Sequence, residues 1–143
     1  MTLAEAIKGD LVTAMKAGER ERVGALRLVL SELQKAAKEG DGDEQAVMRR
    51  ERKRRLDAAS AFRDAGRDEL AEAEQREATL IEGYLPAELT DEQLGALVAQ
   101  AVSESGAQSP ADMGRAMALA MKAVDGRADG RRVSEHVRAL LTA

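Results

Sequence analysis

Apolar residues in this chain return every three or four positions and never settle into the every-second-position rhythm of a strand. That period admits stacked helices and little else. Leu3, Ile7, Leu11, Ala14 and Met15 form one stripe, and Val23, Leu26, Leu30, Leu33 and Ala37 a second. The punctuation agrees. Thr2 with Glu5, and Thr90 with Gln93, have capping-box spacing, in which each side chain satisfies an end N–H of the helix. Gly18, Gly66 and Gly106 stand where a left-handed residue closes a helix. Gly40-Asp41-Gly42 reads as a loop, and Asp43 as the cap of a third helix running from about Glu44 to Ala65. A fourth helix follows from about Asp68 to Leu85, with Leu70, Ala73, Glu77, Leu80, Ile81 and Tyr84 on one face. The third and fourth helices are either separate or one long helix broken at Gly66.

The core must be built from small aliphatic residues. Hydrophobic residues are 44% of the chain but aromatics only 1%, Phe62 and Tyr84. Strands draw on aromatic and β-branched residues, so the expected class is all-α. Pro86 forces Leu85 out of helical geometry and marks the expected boundary. Residues 1–86 then form an N-terminal domain of long helices, and residues 87–143 a small three-helix bundle. Its stripes are Leu94, Leu97, Val98, Ala101 and Val102; Met113, Met117, Ala120 and Met121; and Val133, Val137, Leu140 and Leu141. Ser109-Pro110 reads as a cap with proline at the first helical position.

The net charge is −4, with 16 basic against 18 acidic residues in 1–85 and 6 against 8 in 86–143. Bulk charge therefore gives no pull toward nucleic acid, and anion binding needs a local patch. Cysteine is absent, which removes disulfides, thiolate metal sites and a cysteine nucleophile. The N-terminus lacks the basic start and apolar run of a signal peptide, and no stretch has a membrane span's length. A cytoplasmic protein without membrane partner, metal or cofactor is expected.

Five features bear on chemistry. Arg49-Arg50-Glu51-Arg52-Lys53-Arg54-Arg55 holds six cations and one anion in seven residues. It is either a phosphate contact, with Arg52 and Lys53 as candidates, or a solvated face. In the second case it pairs with Glu44, Asp57 or the acids of an antiparallel fourth helix, Asp68 to Glu77. Arg27 interrupts an apolar run and needs a partner if buried; a structural ion pair within the helical bundle is expected, with a ligand contact the alternative. His136, the only histidine, has no companion ligands for zinc and is expected at the surface. Met113, Met117 and Met121 recur at every fourth position and read as helix core, with a soft binding groove the alternative. Gly126-Arg127-Ala128-Asp129-Gly130 precedes a helix start, with Arg131 and Arg132 beyond it. Two glycines, free N–H groups and three arginines suit a phosphate. A plain connector with Asp129 as N-cap accounts for it equally well.

No phosphate-binding P-loop, dinucleotide fingerprint, G-x-S-x-G elbow or H-E-x-x-H pair occurs. The serines (31, 60, 103, 105, 109 and 134) stand singly, without the Gly/Ser-rich setting of a Ser-Lys amidase. The residues offer no self-contained active site.

The run Asp112-Met113-Gly114-Arg115-Ala116-Met117, then Met121-Lys122-Ala123-Val124-Asp125-Gly126-Arg127-Ala128-Asp129-Gly130 and Val133, resembles the YqeY family. Its second half is similar to the tail domain of GatB, a subunit of glutamine-dependent aminoacyl-tRNA amidotransferase. Ala14-Met15-Lys16, Leu26-Arg27-Leu28, Arg63-x-Ala65-Gly66-Arg67-x-Glu69-Leu70 and Tyr84-Leu85-Pro86 with Glu88-Leu89 follow the family's order in the first half. One departure is Arg52-Lys53-Arg54-Arg55-Leu56-Asp57, where the family usually has Lys-Gln-Arg-x-Asp; the cationic character survives. The resemblance implies a tRNA-binding module contacting RNA through Gly126, Arg127, Gly130, Arg131, Arg132, Arg115 and Lys122, with Arg52 and Lys53 as further candidates. Alternatively it implies an amidotransferase component, a carbon–nitrogen ligase with glutamine as amido donor, active only with partner subunits. Implied partners are tRNA, amidotransferase subunits or an aminoacyl-tRNA synthetase.

Overall fold

The computed structural model describes all 143 residues as seven α-helices, one 3₁₀ turn and no strand. The chain divides into two compact units, Met1–Pro86 and Ala87–Ala143. No helix is long and apolar enough to cross a membrane.

The first unit holds α1 (Leu3–Ala17), α2 (Arg20–Lys38), α3 (Glu44–Asp64) and α4 (Asp68–Glu82). Both halves of the Thr2–Glu5 capping box form. The Glu44 carboxylate also accepts from Leu3 N at 3.0 Å and Ala4 N at 2.9 Å. The first three N–H groups of α1 are thus all satisfied, two of them from forty residues away. Glu44 is therefore a helix cap and not a partner of the basic run. Gly18 and Gly66 both take φ of 73°, left-handed geometry that costs glycine little. Gly66 settles the open question: α3 and α4 are separate helices folded into an antiparallel hairpin.

Ile7, Leu26, Met48 and Ile81 anchor the core of this unit. The buried stripe of α2 is Leu26, Val29, Leu33 and Ala36, rotated from the expected one; Ala37 faces water. The apolar run 26–30 supports two adjacent stripes equally, and only the neighbouring helices choose between them. Met15 and Leu70, expected in the core, are exposed. Helix α4 stops at Glu82 because Tyr84 N and Leu85 N turn back to Ile81 O and Glu82 O.

The Tyr84 hydroxyl donates a short hydrogen bond to Asp10 and so ties this turn to α1. Burial first, then the Asp10 bond, push the phenol up to about 12. A raised folded value means the folded chain keeps the proton longer than the unfolded one. The contribution is complete below pH 10 and is lost as pH rises through about 12. Tyr84→Phe should lower stability at pH 7 by about 1 kcal/mol. It should also flatten the alkaline decline seen in thermal melts; an unchanged alkaline limb would refute this role.

The second unit holds α5 (Asp91–Ser105), a 3₁₀ turn (Pro110–Asp112), α6 (Met113–Val124) and α7 (Gly130–Thr142). Its core is Leu94, Val98, Ala101, Ala116, Ala120, Val124, Val133, Val137 and Leu141. The methionine stripe is not that core. Ala116, Ala120 and Val124 are buried, Met113 and Met117 sit at the margin, and Met121 is exposed. The alanines let the helices approach closely, which pushes the longer methionines outward. Ser109 makes no cap bond, and Asp112 accepts from Gln108 N instead, at 3.0 Å.

Candidate nucleic-acid interface

The α6–α7 connection turns on two successive left-handed residues, Asp125 (φ 48°) and Gly126 (φ 75°). Aspartate is among the few side chains that accept this region, and glycine enters it freely. Gly130 has a different role. It is the first residue of α7, and a Cβ there would lie 3.9 Å from the Met121 methyl, an ordinary contact. Asp129 is the N-cap of α7, its Oδ1 accepting from Arg132 N at 2.9 Å. That carboxylate sits at the helix end where an anion would otherwise be drawn.

The arginines of the loop divide by what they hold. Arg127 Nε donates to Ala87 O at 3.2 Å, while Arg127 O accepts from Leu89 N at 2.8 Å. Arg132 donates to Leu89 O at 3.0 Å and to Asp91 at 2.8 Å, with Glu88 at 4.0 Å. Both guanidinium groups fasten the segment before α5 to the α6–α7 loop. The Arg132 hydrogen bond holds the Asp91 carboxyl below the usual carboxylate range, and the same bond raises Arg132. Sequence reasoning missed this fastening because two of the acceptors are backbone carbonyls, which carry no residue signature.

Five cations of the second unit are exposed: Arg127, tied to Ala87 O, Arg138, which reaches Ser134 Oγ at 3.5 Å, and Arg131, Arg115 and Lys122. Arg131 is 89% exposed and lies 3.4 Å from Glu135. Arg115 lies 3.4 Å from Asp112, and Lys122 is exposed on the last turn of α6. Arg115 and Lys122 are seven residues apart, hence on one face of α6 and about 10 Å apart. Exposed ion pairs such as Arg131–Glu135 contribute little and exchange readily for another anion. Met121 against Gly130 brings the end of α6 beside the start of α7.

The basic run on α3 is largely consumed within its own unit. Arg50 meets Asp41 at 3.0 Å, Lys53 meets Asp57 at 2.9 Å, and Arg54 meets Glu51 at 2.8 Å. Arg55 touches Glu51 at 3.2 Å, Glu74 at 3.5 Å and Glu77 at 3.6 Å. Arg52 is half-buried and also engaged. Arg27 is exposed and rests on Met15 Sδ at 3.9 Å, so the expected ion pair does not form; exposure removes the need for one. His136 is half-buried against Gly95 instead of lying on the open surface. No group of three or more His, Asp or Glu residues is placed to hold a metal ion.

A family model described as Yqey-like protein matches residues 4–141. No curated protein matches the chain.

Proposed function

The chain belongs to the YqeY-like family, and on that footing we propose that its second unit is a tRNA-binding module related to the tail of the glutamine-dependent amidotransferase subunit. The observation that supports this reading is a set of solvent-facing cations, Arg115 and Lys122 on one face of α6 and Arg131 in the first turn of α7. Arg127 and Arg132 contribute by fixing the loop, and the N–H groups of Gly130 and Arg131 remain at the helix end. Arg52 is already engaged, while Lys53 makes an exposed pair with Asp57 of the same kind as Arg131–Glu135; both lie on α3 in the first unit and outside this surface.

The second unit contains no phenylalanine, tyrosine or tryptophan. Its one imidazole, His136, is half-buried against Gly95, so the contact rests on phosphates more than on base stacking. Such binding is tolerant of sequence and steeply salt-dependent.

The test is fluorescence anisotropy of labelled, unfractionated tRNA across about 25–200 mM salt. Arg115→Ala/Lys122→Ala/Arg131→Ala should weaken binding about tenfold or more at the lower salt. Each lost phosphate contact should also flatten the logarithmic salt slope by roughly 0.7–0.9. The three positions are exposed, so the variant folds. If the unaltered chain fails to bind at low salt, the function is wrong. If it binds and the variant binds equally well, the surface is wrong.

A further inference from the structure

The first unit has a surface that its own packing leaves unused. An open groove of about 410 Å³ lies where α1 ends and α2 begins, lined by Met15, Gly18, Arg20, Val23, Gly24 and Arg27. Positions 20, 23, 24 and 27 share one face of α2. Arg20 and Arg27 therefore stand at the two ends of the groove, two helical turns or about 10 Å apart. Between them the floor is small and aliphatic. A Cβ on Gly24 would meet nothing within 4 Å, and Met15 is 51% exposed. Val12, one turn earlier on α1, is also half exposed, and Lys16 follows Met15 on the same helix.

No carboxylate of this chain answers the two arginines. The acids on the α1–α2 side of the groove are engaged, Glu19 with Arg22 at 3.7 Å, Glu21 with Arg76 at 2.7 Å and Asp10 with the Tyr84 hydroxyl, and Glu32, further along α2, makes no ion pair with either arginine. A basic rim around an aliphatic floor calls for a ligand that is acidic at its edges and aliphatic at its centre. Carboxylates seven residues apart on a helix have the same two-turn spacing as Arg20 and Arg27. Nucleic acid fits less well, since the floor offers no aromatic face and phosphates gain nothing from methionine and valine.

We propose that this groove docks an acidic amphipathic helix of a partner protein. Its carboxylates, two turns apart, pair with Arg20 and Arg27, and its aliphatic side chains lie on Met15 and Val23. Methionine at the contact accommodates different aliphatic shapes, and the arrangement is a helix laid in a groove.

The experiment uses the full chain and a fluorescein-labelled synthetic helical peptide. The peptide carries glutamates seven residues apart, with leucine and methionine between them. Anisotropy should show binding to the unaltered chain that Arg20→Glu/Arg27→Glu weakens tenfold or more. A peptide with lysines in place of the glutamates should regain binding to the reversed chain. Both positions are exposed, and far-UV circular dichroism checks that the variant is folded. The proposal is overturned if a leucine-to-serine peptide binds as well, or if charge reversal leaves the affinity unchanged. It is equally overturned if the reversal abolishes tRNA binding while the peptide is not bound. Dispersal of a dimer by the reversal, seen by sedimentation, would give the groove to a second copy and also sink it.

Discussion

Arg55→Ala is expected to lower the stability of the first unit by about 3 kcal/mol at pH 7, the loss that follows removal of one partner from a buried ion pair. Arg55 is the cation between α3 and α4 that faces Glu51, Glu74 and Glu77 together. Glu51 is only 3% exposed, and its other partner, Arg54, reaches in from solvent. Glu74 Oε2 is buried with no hydrogen bond, so Arg55 is what offsets its charge. Burial first, and Glu74 next, already raise Glu77 above its ordinary 4.5, while Arg55 pulls it back.

Removing Arg55 takes away the charge that lowers Glu77 and so raises that carboxyl further, which gives the pH dependence a definite sign. A carboxyl raised on folding binds protons more readily in the folded chain, so its strain is absent below the unfolded value. The strain grows as pH rises through the folded value. The deficit of Arg55→Ala should therefore be largest at pH 7 and shrink toward about pH 5. Urea unfolding followed at 222 nm at both pH values checks this. A loss under about 1 kcal/mol, or one equal at the two pH values, would mean that the carboxylates find other partners.

Leu94→Ala is the second large effect, expected to cost about 3 kcal/mol. Leu94 is fully buried and is among the largest side chains in a core otherwise made mainly of valine and alanine. With so few large residues nearby, nothing collapses to fill the space. A unit of this length has a total stability of roughly 3–8 kcal/mol. The variant should therefore populate unfolded second unit near 37 °C and lose part of its helical signal well before the first unit melts. Amide exchange in α5–α7 reads this directly. Protection equal to that of the unaltered chain would show that Leu94 is not the keystone described.

The helical class, the caps and the family were legible because each depends on local residue types. Thr2, Asp43, Thr90 and Asp129 cap the helices they precede, and Gly18, Gly66 and Gly106 end theirs. The rotation of stripes was not legible. In α2 and α6 two neighbouring faces are both apolar, and the choice of Val29 over Leu30, or Ala116 over Met117, is made by the partner helices. At the α6–α7 loop the cap and the glycine turn could be read from residue type. The engagement of Arg127 and Arg132 by Ala87, Leu89 and Asp91 could not, since forty residues of chain separate donor from acceptor. The antiparallel pairing of the α3 cations with acids of α4 was one of two readings, and Arg55 with Glu74 and Glu77 is how it is realised.

The Tyr84–Asp10 contact has a further, optical consequence. The chain has no tryptophan and a single tyrosine, and that tyrosine lies in the first unit with its hydroxyl held by a carboxylate. Its emission is thus a built-in label for one half of the molecule, while the other half is dark at the same wavelengths. Backbone dichroism sums both halves. Comparing the two signals along one denaturation curve separates the melting of α1–α4 from that of α5–α7 without any added dye.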